Sequence, residues 1–211
     1  MTLFQLASAI GIGGTVVLSA AHYLVVRPRR NAPAPADRTV RRYNLWERLV
    51  HAVTTAGFLV LLVTGFYPTL VGQRLMDCDW LLMVHTAASA AFFVGLVAMG
   101  LVWAEDCRFG RNDLRSAGRF DLAQKCYFWL ALGLGLALLG STMLAMVNIF
   151  GQVGQAWMVE IHRWSALGLV MATVAHAYRQ TIAKPGTWRA LVDGRVSPGW
   201  AKHYHPLWGK G

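Results

Sequence analysis

The sequence predicts an all-α integral membrane protein with five transmembrane helices, four of which form one bundle. Hydrophobic residues make up 55% of the chain and charged residues only 14%, a balance typical of multi-span membrane proteins. Five apolar runs are each long enough to cross the ~30 Å hydrocarbon core of a bilayer. In the resulting topology all but two of the 20 lysines and arginines fall on one side, the exceptions being Arg74 and Arg163. This asymmetry places the N-terminus outside and the C-terminus in the cytoplasm.

The first apolar run covers residues 3–26 and has two interpretations, a transmembrane helix or a cleaved signal peptide. Basic residues follow the run, at Arg27, Arg29 and Arg30, and none precedes it, which is the reverse of a signal peptide. We therefore expect a transmembrane helix, in which His22 is a surface or helix-packing residue. Residues 27–43 are basic and rich in proline and alanine, which predicts an extended cytoplasmic loop. Residues 1–43 then form an extra N-terminal unit.

The second and third runs each carry one histidine in their first turns. Residues 45–70 contain His51 near the inner face, and Arg48 lies one turn before it. Arg48 is thus a candidate partner for an acidic group of a ligand bound there, with simple snorkelling as the open alternative. After a short outer loop at 71–79, residues 80–103 run inward, so His85 lies near the outer face.

The last two runs complete a bundle over residues 44–179. Residues 125–146 follow a basic inner loop and contain Gly133, Gly135 and Gly140, a pattern that favours close helix packing. An outer loop is expected over 147–158, before a fifth run from Glu160 to Arg179. Residues 180–211 are expected to form an amphipathic cytoplasmic tail in which His203 and His205 are solvated or interfacial.

The fifth run carries two histidines, His162 and His176, fourteen residues apart. That spacing is ~21 Å along a helix and just short of four turns, so both rings leave nearly the same face. His162 shares the outer depth with His85, and His176 shares the inner depth with His51. Paired neutral imidazoles are good axial ligands of haem iron and leave no open position, which suits electron transfer. The spacing therefore predicts two haems, stacked across the membrane.

Other chemistries fit this pattern less well. Zinc usually takes more ligands at one depth, commonly cysteine or carboxylate, whereas a histidine proton relay remains a distant alternative. The three cysteines, Cys78, Cys107 and Cys126, are widely spaced, and no C-x-x-C-H element for covalent haem attachment is present. The net charge of +10 is concentrated in the loops of one membrane side, so it does not indicate nucleic-acid binding.

Specific motifs add a family resemblance over roughly four-fifths of the chain. They are R-L-V-H at 48–51, A-Q-K-C-Y-F-W at 123–129, I-H at 161–162, H-A-Y at 176–178 and G-R-V-S-P-G-W-A-K-H-Y-H-P-L-W at 194–208. With these, the chain resembles the gamma, cytochrome b subunit of respiratory membrane-bound formate dehydrogenases. The resemblance implies two haems b, the outer one held by His85 and His162 and the inner one by His51 and His176. Arg48 would then face a propionate of the inner haem.

Two departures from the family pattern matter. The family has four spans, so residues 1–40 are an addition, for which docking of a partner is the one role suggested. The family's quinone pocket lies beside the inner haem, at an Asn-x-Gly-Gln element and the fifth-run histidine. The corresponding residues here are Asp121, Ala123, Gln124 and His176. Asp121 equally fits the N-cap of the fourth helix, and both interpretations stay open.

The resemblance implies an electron-transfer subunit in a bacterial inner membrane, with its N-terminus periplasmic. Electrons would enter at the outer haem from an iron–sulfur or multihaem subunit that serves a separate catalytic oxidoreductase subunit. They would leave to a quinone at the inner haem. A nearer alternative keeps the haems and changes the partner to a hydrogenase, a thiosulfate or tetrathionate reductase, or a multihaem cytochrome system, some of which oxidise quinol. A haem-free transporter that uses the histidines as a relay is the distant alternative.

Overall fold

Five long helices dominate the computed structural model, which describes residues 2–26, 37–71, 75, 78–111, 113–114, 117–147 and 149–208. They are α1 (Leu3–Val26), α2 (Leu45–Leu70), α3 (Asp79–Trp103), α4 (Leu122–Met146) and α5 (Gly151–Tyr178). Within the described residues, α1 to α4 are long and apolar enough to cross a membrane. The predicted all-α membrane class is confirmed to that extent. The predicted fifth span, α5, is not among those four helices. Arg27, Arg29, Arg30 and Arg74, on which part of the topology rests, lie outside the described residues.

Two helices begin with reciprocal capping boxes. The Asn44 side chain accepts from Glu47 N (2.8 Å), and Glu47 Oε2 accepts from Asn44 N (2.7 Å). The Asp121 side chain and Gln124 form the same pair of bonds at the start of α4, both 3.0 Å long. Each box satisfies two backbone N–H groups that would otherwise lack partners. The second box starts α4 at Leu122 rather than at the predicted residue 125.

The predicted outer loop at 147–158 is wrong from residue 151 onward, because α5 already begins at Gly151. Gly154 permits a close contact in this stretch, since a Cβ there would lie 2.1 Å from Phe150 Cβ. No proline interrupts residues 151–178, and a glycine costs a helix only ~1 kcal/mol. Both His162 and His176 therefore lie on one continuous helix.

Glycines set the closest helix approach in the bundle. A Cβ on Gly57 of α2 would lie 3.0 Å from the backbone N of Phe92, and one on Gly95 of α3 would lie 2.2 Å from Thr54 Oγ1. Thus α2 and α3 form an antiparallel pair with little space between them. Helix α4 packs along α5 in a second pair, and the two pairs meet where α3 contacts α4.

Helix α1 packs against the outside of α5. Near its start, the Phe4 ring meets Trp164 edge to face at 5.5 Å. Near its end, His22 Nδ1 and the Tyr178 hydroxyl form a 2.7 Å hydrogen bond. This contact matches the surface or helix-packing role expected for His22.

The C-terminal residues form a small folded unit. A π-helical turn (Arg179–Ala183) leads into two short helices, α6 (Arg189–Asp193) and α7 (Pro198–Tyr204). Between them, β2 (Arg195–Val196) pairs antiparallel with β1 (Val40–Arg41). The predicted loop and the predicted tail are thus joined by a strand pair. We call the end of the bundle that carries this unit the tail end, and the opposite end the far end.

His205 corrects a sequence prediction. It was expected to be solvated or interfacial, as the exposed His203 is, yet only 2% of it is exposed. Its Nδ1–H donates to Gly118 O at 2.7 Å, and its ring stacks on Trp200 at 5.1 Å. Burial and the nearby Arg42 and Lys184 lower the pKa of His205 to about 3, so the ring is neutral at physiological pH. The Gly118 carbonyl satisfies Nδ1–H and Trp200 packs on the ring, whereas Nε2 is buried with no hydrogen-bond partner among the described residues.

Candidate functional site

The four predicted histidines form two pairs at opposite ends of the bundle. His85 of α3 lies within electrostatic range of His162 of α5, and His51 of α2 lies within range of His176 of α5. All four rings are half-buried. Contacts along α2 show independently that the two pairs are separated. His51 lies near Trp103, with ring centroids 6.3 Å apart, whereas Thr64, further along the same helix, contacts His85 of the other pair. Thirteen residues separate His51 from Thr64, which is ~20 Å of helix.

The Thr64 hydroxyl contacts Nδ1 of His85. Thr64 Oγ1 lies 2.8 Å from Val60 O, to which it can donate, and 2.7 Å from His85 Nδ1. When Nε2 of a neutral imidazole binds a metal, Nδ1 carries the ring proton. In that state Thr64 Oγ1 accepts from Nδ1–H and keeps its own proton for Val60 O.

His162 has the same arrangement, with two hydroxyls instead of one. Ser141 Oγ and Thr142 Oγ1 both donate to Leu138 O, at 3.0 and 2.9 Å. They lie 3.4 and 3.1 Å from His162 Nδ1. With Nε2 of His162 on a metal, Nδ1–H would donate to these oxygens in the same way.

The tail-end pair has different surroundings. His51 Nδ1 has a 3.3 Å contact with Thr55 Oγ1, one turn along its own helix. The His176 ring instead stacks on Tyr127 of α4, with ring centroids 3.9 Å apart. The Tyr127 hydroxyl pairs with Thr173 Oγ1 at 3.0 Å, which holds the tyrosine ring in place beside His176.

The two histidine pairs fit haem iron. Within the described ranges, His, Cys, Asp and Glu do not gather in groups of three or more that could hold a bare metal ion. A pair of neutral imidazoles suits a metal whose other four ligands come from a macrocycle. Gly133 and Gly140 of α4 have no close helix neighbour, because a Cβ on either would meet nothing within 4 Å. The packing role expected for the α4 glycines applies instead to Gly135, which contacts Leu96.

Arg48 is held by the C-terminal unit. Its Nε donates to Leu191 O at 3.0 Å, and its Nη2 donates to Val192 O. These bonds anchor α6 to the first turn of α2. The predicted contact between Arg48 and a propionate stays a prediction.

Asp121 caps α4 and also forms ion pairs. Its Oδ2 accepts from Lys184 Nζ, and its Oδ1 lies 3.4 Å from Arg179 Nη2. Burial alone would raise the pKa of Asp121, but Lys184, Arg179 and the Gln124 N–H hold that pKa down at about 2. Asp121 is therefore an anion at neutral pH. The N-cap interpretation is confirmed, and the quinone interpretation stays open beside it.

The neighbours of Asp121 were missed by the sequence analysis. Gln124 Nε2 donates to Gln180 Oε1 at 3.2 Å, and Gln180 belongs to the π-helical turn that ends α5. A π-turn inserts one residue per turn and is frequent at functional sites. Here it brings Gln180 and Lys184 to the start of α4. Ala123 lies in the first turn of α4. The break signalled by Pro185 and Gly186 was the sequence feature that could have indicated this turn.

A second buried charge network at the tail end was also missed. Glu47 Oε1 accepts from Arg119 and from Trp103 Nε1 (2.9 Å), and Arg119 Nη1 also binds Asp106 at 2.5 Å. Glu47 is 4% exposed. The capping box N-L-W-E at 44–47 was a signal for this glutamate, although its buried partners come from distant parts of the chain.

The family profile and the individual proteins that match this chain are all cytochromes b. The sequence profile of the prokaryotic cytochrome b561 family matches residues 42–194. The cytochrome b556(fdo) subunit of formate dehydrogenase from Escherichia coli K12 is 25% identical over 199 residues, covering 81% of this chain and 92% of that protein. The nitrate-inducible cytochrome b556(Fdn) subunit of the same organism is 23% identical, covering 82% and 91%. The formate dehydrogenase cytochrome b556 subunit of Haemophilus influenzae is 24% identical, covering 82% and 83%.

Proposed function

The chain belongs to the prokaryotic cytochrome b561 family, whose profile covers most of its length, and we propose that it is the membrane-anchor, di-haem cytochrome b subunit of a formate-dehydrogenase-type respiratory complex. Relatives with that printed role align along four-fifths of the chain. The observation that carries the proposal is the pair of histidine sets at the two ends of one long helix.

His85 with His162 would hold one haem b, and His51 with His176 the other. Haem, when bound, supplies one-electron redox chemistry at each end of the bundle. The protein would provide Nε2 of each histidine as the ligand atom, with the Thr64, Ser141 and Thr142 hydroxyls placed to accept from Nδ1–H of His85 and His162. Tyr127 orients His176 by stacking on it.

In this proposal α5 is a fifth span, beside the four apolar helices. It is 28 residues long, or ~42 Å at the usual helical rise, and it packs along α4 and α1. Described basic residues such as Arg42, Arg119 and Lys184 cluster at the tail end. The positive-inside tendency therefore supports a cytoplasmic tail end and a periplasmic far end in a bacterial inner membrane.

The tail end would reduce a quinone beside His176, near Asp121, Ala123 and Gln124. Two electrons and two protons convert the quinone to quinol, with the electrons delivered through the haems and the protons taken from the cytoplasmic side. Asp121→Asn keeps a capping oxygen but removes the anion. We expect it to alter the affinity for a quinone analogue, whereas unchanged affinity would leave Asp121 with the cap alone.

The far end would face the partner subunits. An iron–sulfur or multihaem subunit would dock there and deliver electrons from a separate catalytic subunit. Co-purification in mild detergent, followed by identification of the accompanying subunits, tests this part. A hydrogenase or a sulfur-compound reductase as the companion would replace the formate-dehydrogenase assignment.

Haem counting tests the central proposal. The purified chain should show b-type difference bands and about two haems per polypeptide. His162→Ala should lose the far-end haem and keep the other, and His51→Ala should do the converse. His203→Ala, which changes an exposed histidine, is the matched control and should keep both. A colourless wild-type protein, or either axial variant with two haems, would refute the proposal.

A further inference from the structure

The two histidine pairs differ in the hydrogen bonds made to their Nδ1 atoms. At the far end, both rings face hydroxyls on neighbouring helices, Thr64 for His85 and Ser141 with Thr142 for His162. At the tail end, His51 has a single 3.3 Å contact with Thr55 on its own helix, and His176 stacks on Tyr127. Each far-end ring therefore has a hydroxyl closer than this, Thr64 at 2.7 Å for His85 and Thr142 at 3.1 Å for His162.

An axial histidine that binds iron through Nε2 carries its ring proton on Nδ1, so a neighbouring hydroxyl oxygen accepts from Nδ1–H. At the far end the hydroxyls also have carbonyl acceptors for their own protons, Val60 O for Thr64 and Leu138 O for Ser141 and Thr142. These hydroxyls can therefore donate to a carbonyl while they accept from the imidazole. For the Thr55 hydroxyl, no such carbonyl acceptor is shown in the described part of the chain.

An axial histidine can donate a hydrogen bond from the ring nitrogen that does not bind iron, here Nδ1. This hydrogen bond raises the basicity of the ligating nitrogen and fixes the ring. A more basic ligand stabilises ferric iron over ferrous iron, which lowers the reduction potential, and such bonds are one of the protein's means of tuning haem.

We propose that Thr64 and Thr142, aided by Ser141, lower the reduction potential of the far-end haem below that of the tail-end haem, and that they are positioning residues. This inference rests on the proposed function. With haem bound at both sites, this difference would favour passage of one electron from the far-end site, which would be oxidised, to the tail-end site, which would be reduced, with no proton exchanged. The asymmetry thus sets the direction of electron flow from the partner side toward the quinone side.

Redox titration of the full-length purified chain tests the proposal. Thr64→Val and Thr142→Val, made singly and together, remove the acceptors, while Thr64→Ser and Thr142→Ser retain them. Thr69→Val is the matched control, because Thr69 bonds the Gly65 carbonyl (3.1 Å) in the same helix as Thr64 and has no histidine partner in the described contacts. The readouts are haem content, difference spectra and the midpoint potential of each haem, with the far-end component identified as the one missing in His162→Ala.

We expect wild-type titration to resolve two components, with the far-end one lower. Each valine variant should keep two haems and shift only the far-end midpoint upward, most in the double variant. The serine variants and Thr69→Val should match the wild type. Two retained haems with unmoved midpoints, or a shift in the tail-end component, would overturn the inference and leave the haem assignment intact. Absence of haem in the wild type would instead overturn the proposed function, and this inference with it.

Discussion

Replacing Asp121 by asparagine separates two contributions that this residue makes at the start of α4. Asparagine keeps a side-chain oxygen that can accept from Gln124 N, and it is as good an N-cap as aspartate. It removes the negative charge that faces Lys184 and Arg179. Asp121→Ala removes both the cap and the charge, so the two variants together measure each contribution.

The magnitude follows from the pKa of Asp121. The folded protein lowers that pKa from 3.8 to about 2, and each pH unit corresponds to ~1.4 kcal/mol. The charge therefore contributes about 2 kcal/mol to the free energy of unfolding at neutral pH. Burial lowers the pKa of Lys184 even with Asp121 beside it, so this is an upper figure. Asp121→Ala should cost roughly 1 kcal/mol more, through loss of the cap.

Thermal unfolding in detergent at pH 7, followed by circular dichroism, measures both losses. Glu105→Gln is the control, because Glu105 and Arg108 form an ion pair that is 79% and 74% exposed on its two side chains, and such pairs contribute little. Because the folded pKa of Asp121 is depressed, its contribution is complete above about pH 4. It is lost as the pH falls toward about 2. Equal midpoints for wild type, Asp121→Asn and Asp121→Ala would refute the reasoning.

Two further predictions concern buried groups at the tail end. Glu47→Gln should lower the free energy of unfolding by roughly 2–4 kcal/mol, because it leaves Arg119 with one acidic partner in a buried site; a loss below ~1 kcal/mol in the same thermal assay would contradict this. His205→Asn should flatten the pH dependence of stability between pH 7 and 4.5. The neutral His205, with its pKa near 3 against an ordinary 6.5, contributes stability above pH 6.5 that is lost as the pH falls toward 3. Parallel pH profiles for the variant and the wild type would rule this out.

The long apolar helices were the most predictable part of the fold. Helices α1 and α2 have the predicted bounds, and α3 begins one residue early, at Asp79. Contrast between apolar runs and charged flanks suffices for such segments. The start of α5 could not be read in this way, because Gly154 is needed for the close approach of Phe150 and not for a turn. A single sequence does not distinguish those two uses of glycine.

Contacts between distant parts of the chain were the least predictable. The β1–β2 pair joins Val40 to Val196, and no local periodicity links two strands of two residues each. The hydroxyl partners of the histidines are a similar case. Thr15 and Thr69 bond carbonyls of their own helices just as Thr64 and Thr142 do. At the far end, only the packing of the helices selects which hydroxyls also meet an imidazole.

The distribution of charge explains why the two ends of the bundle suit different chemistry. Burying an ion pair costs free energy unless its hydrogen bonds are satisfied, and the tail end holds several such pairs, including Glu47 with Arg119 and Asp121 with Lys184. At the far end, the described pair of Arg163 and Glu160 is partly exposed and lies within one helix, while neutral hydroxyls hold the histidines. Proton uptake needs titratable groups near the aqueous phase, whereas electron entry needs none. In the proposed function, these titratable groups would therefore serve quinone protonation at the tail end, and α5 would link that end to the one where electrons enter.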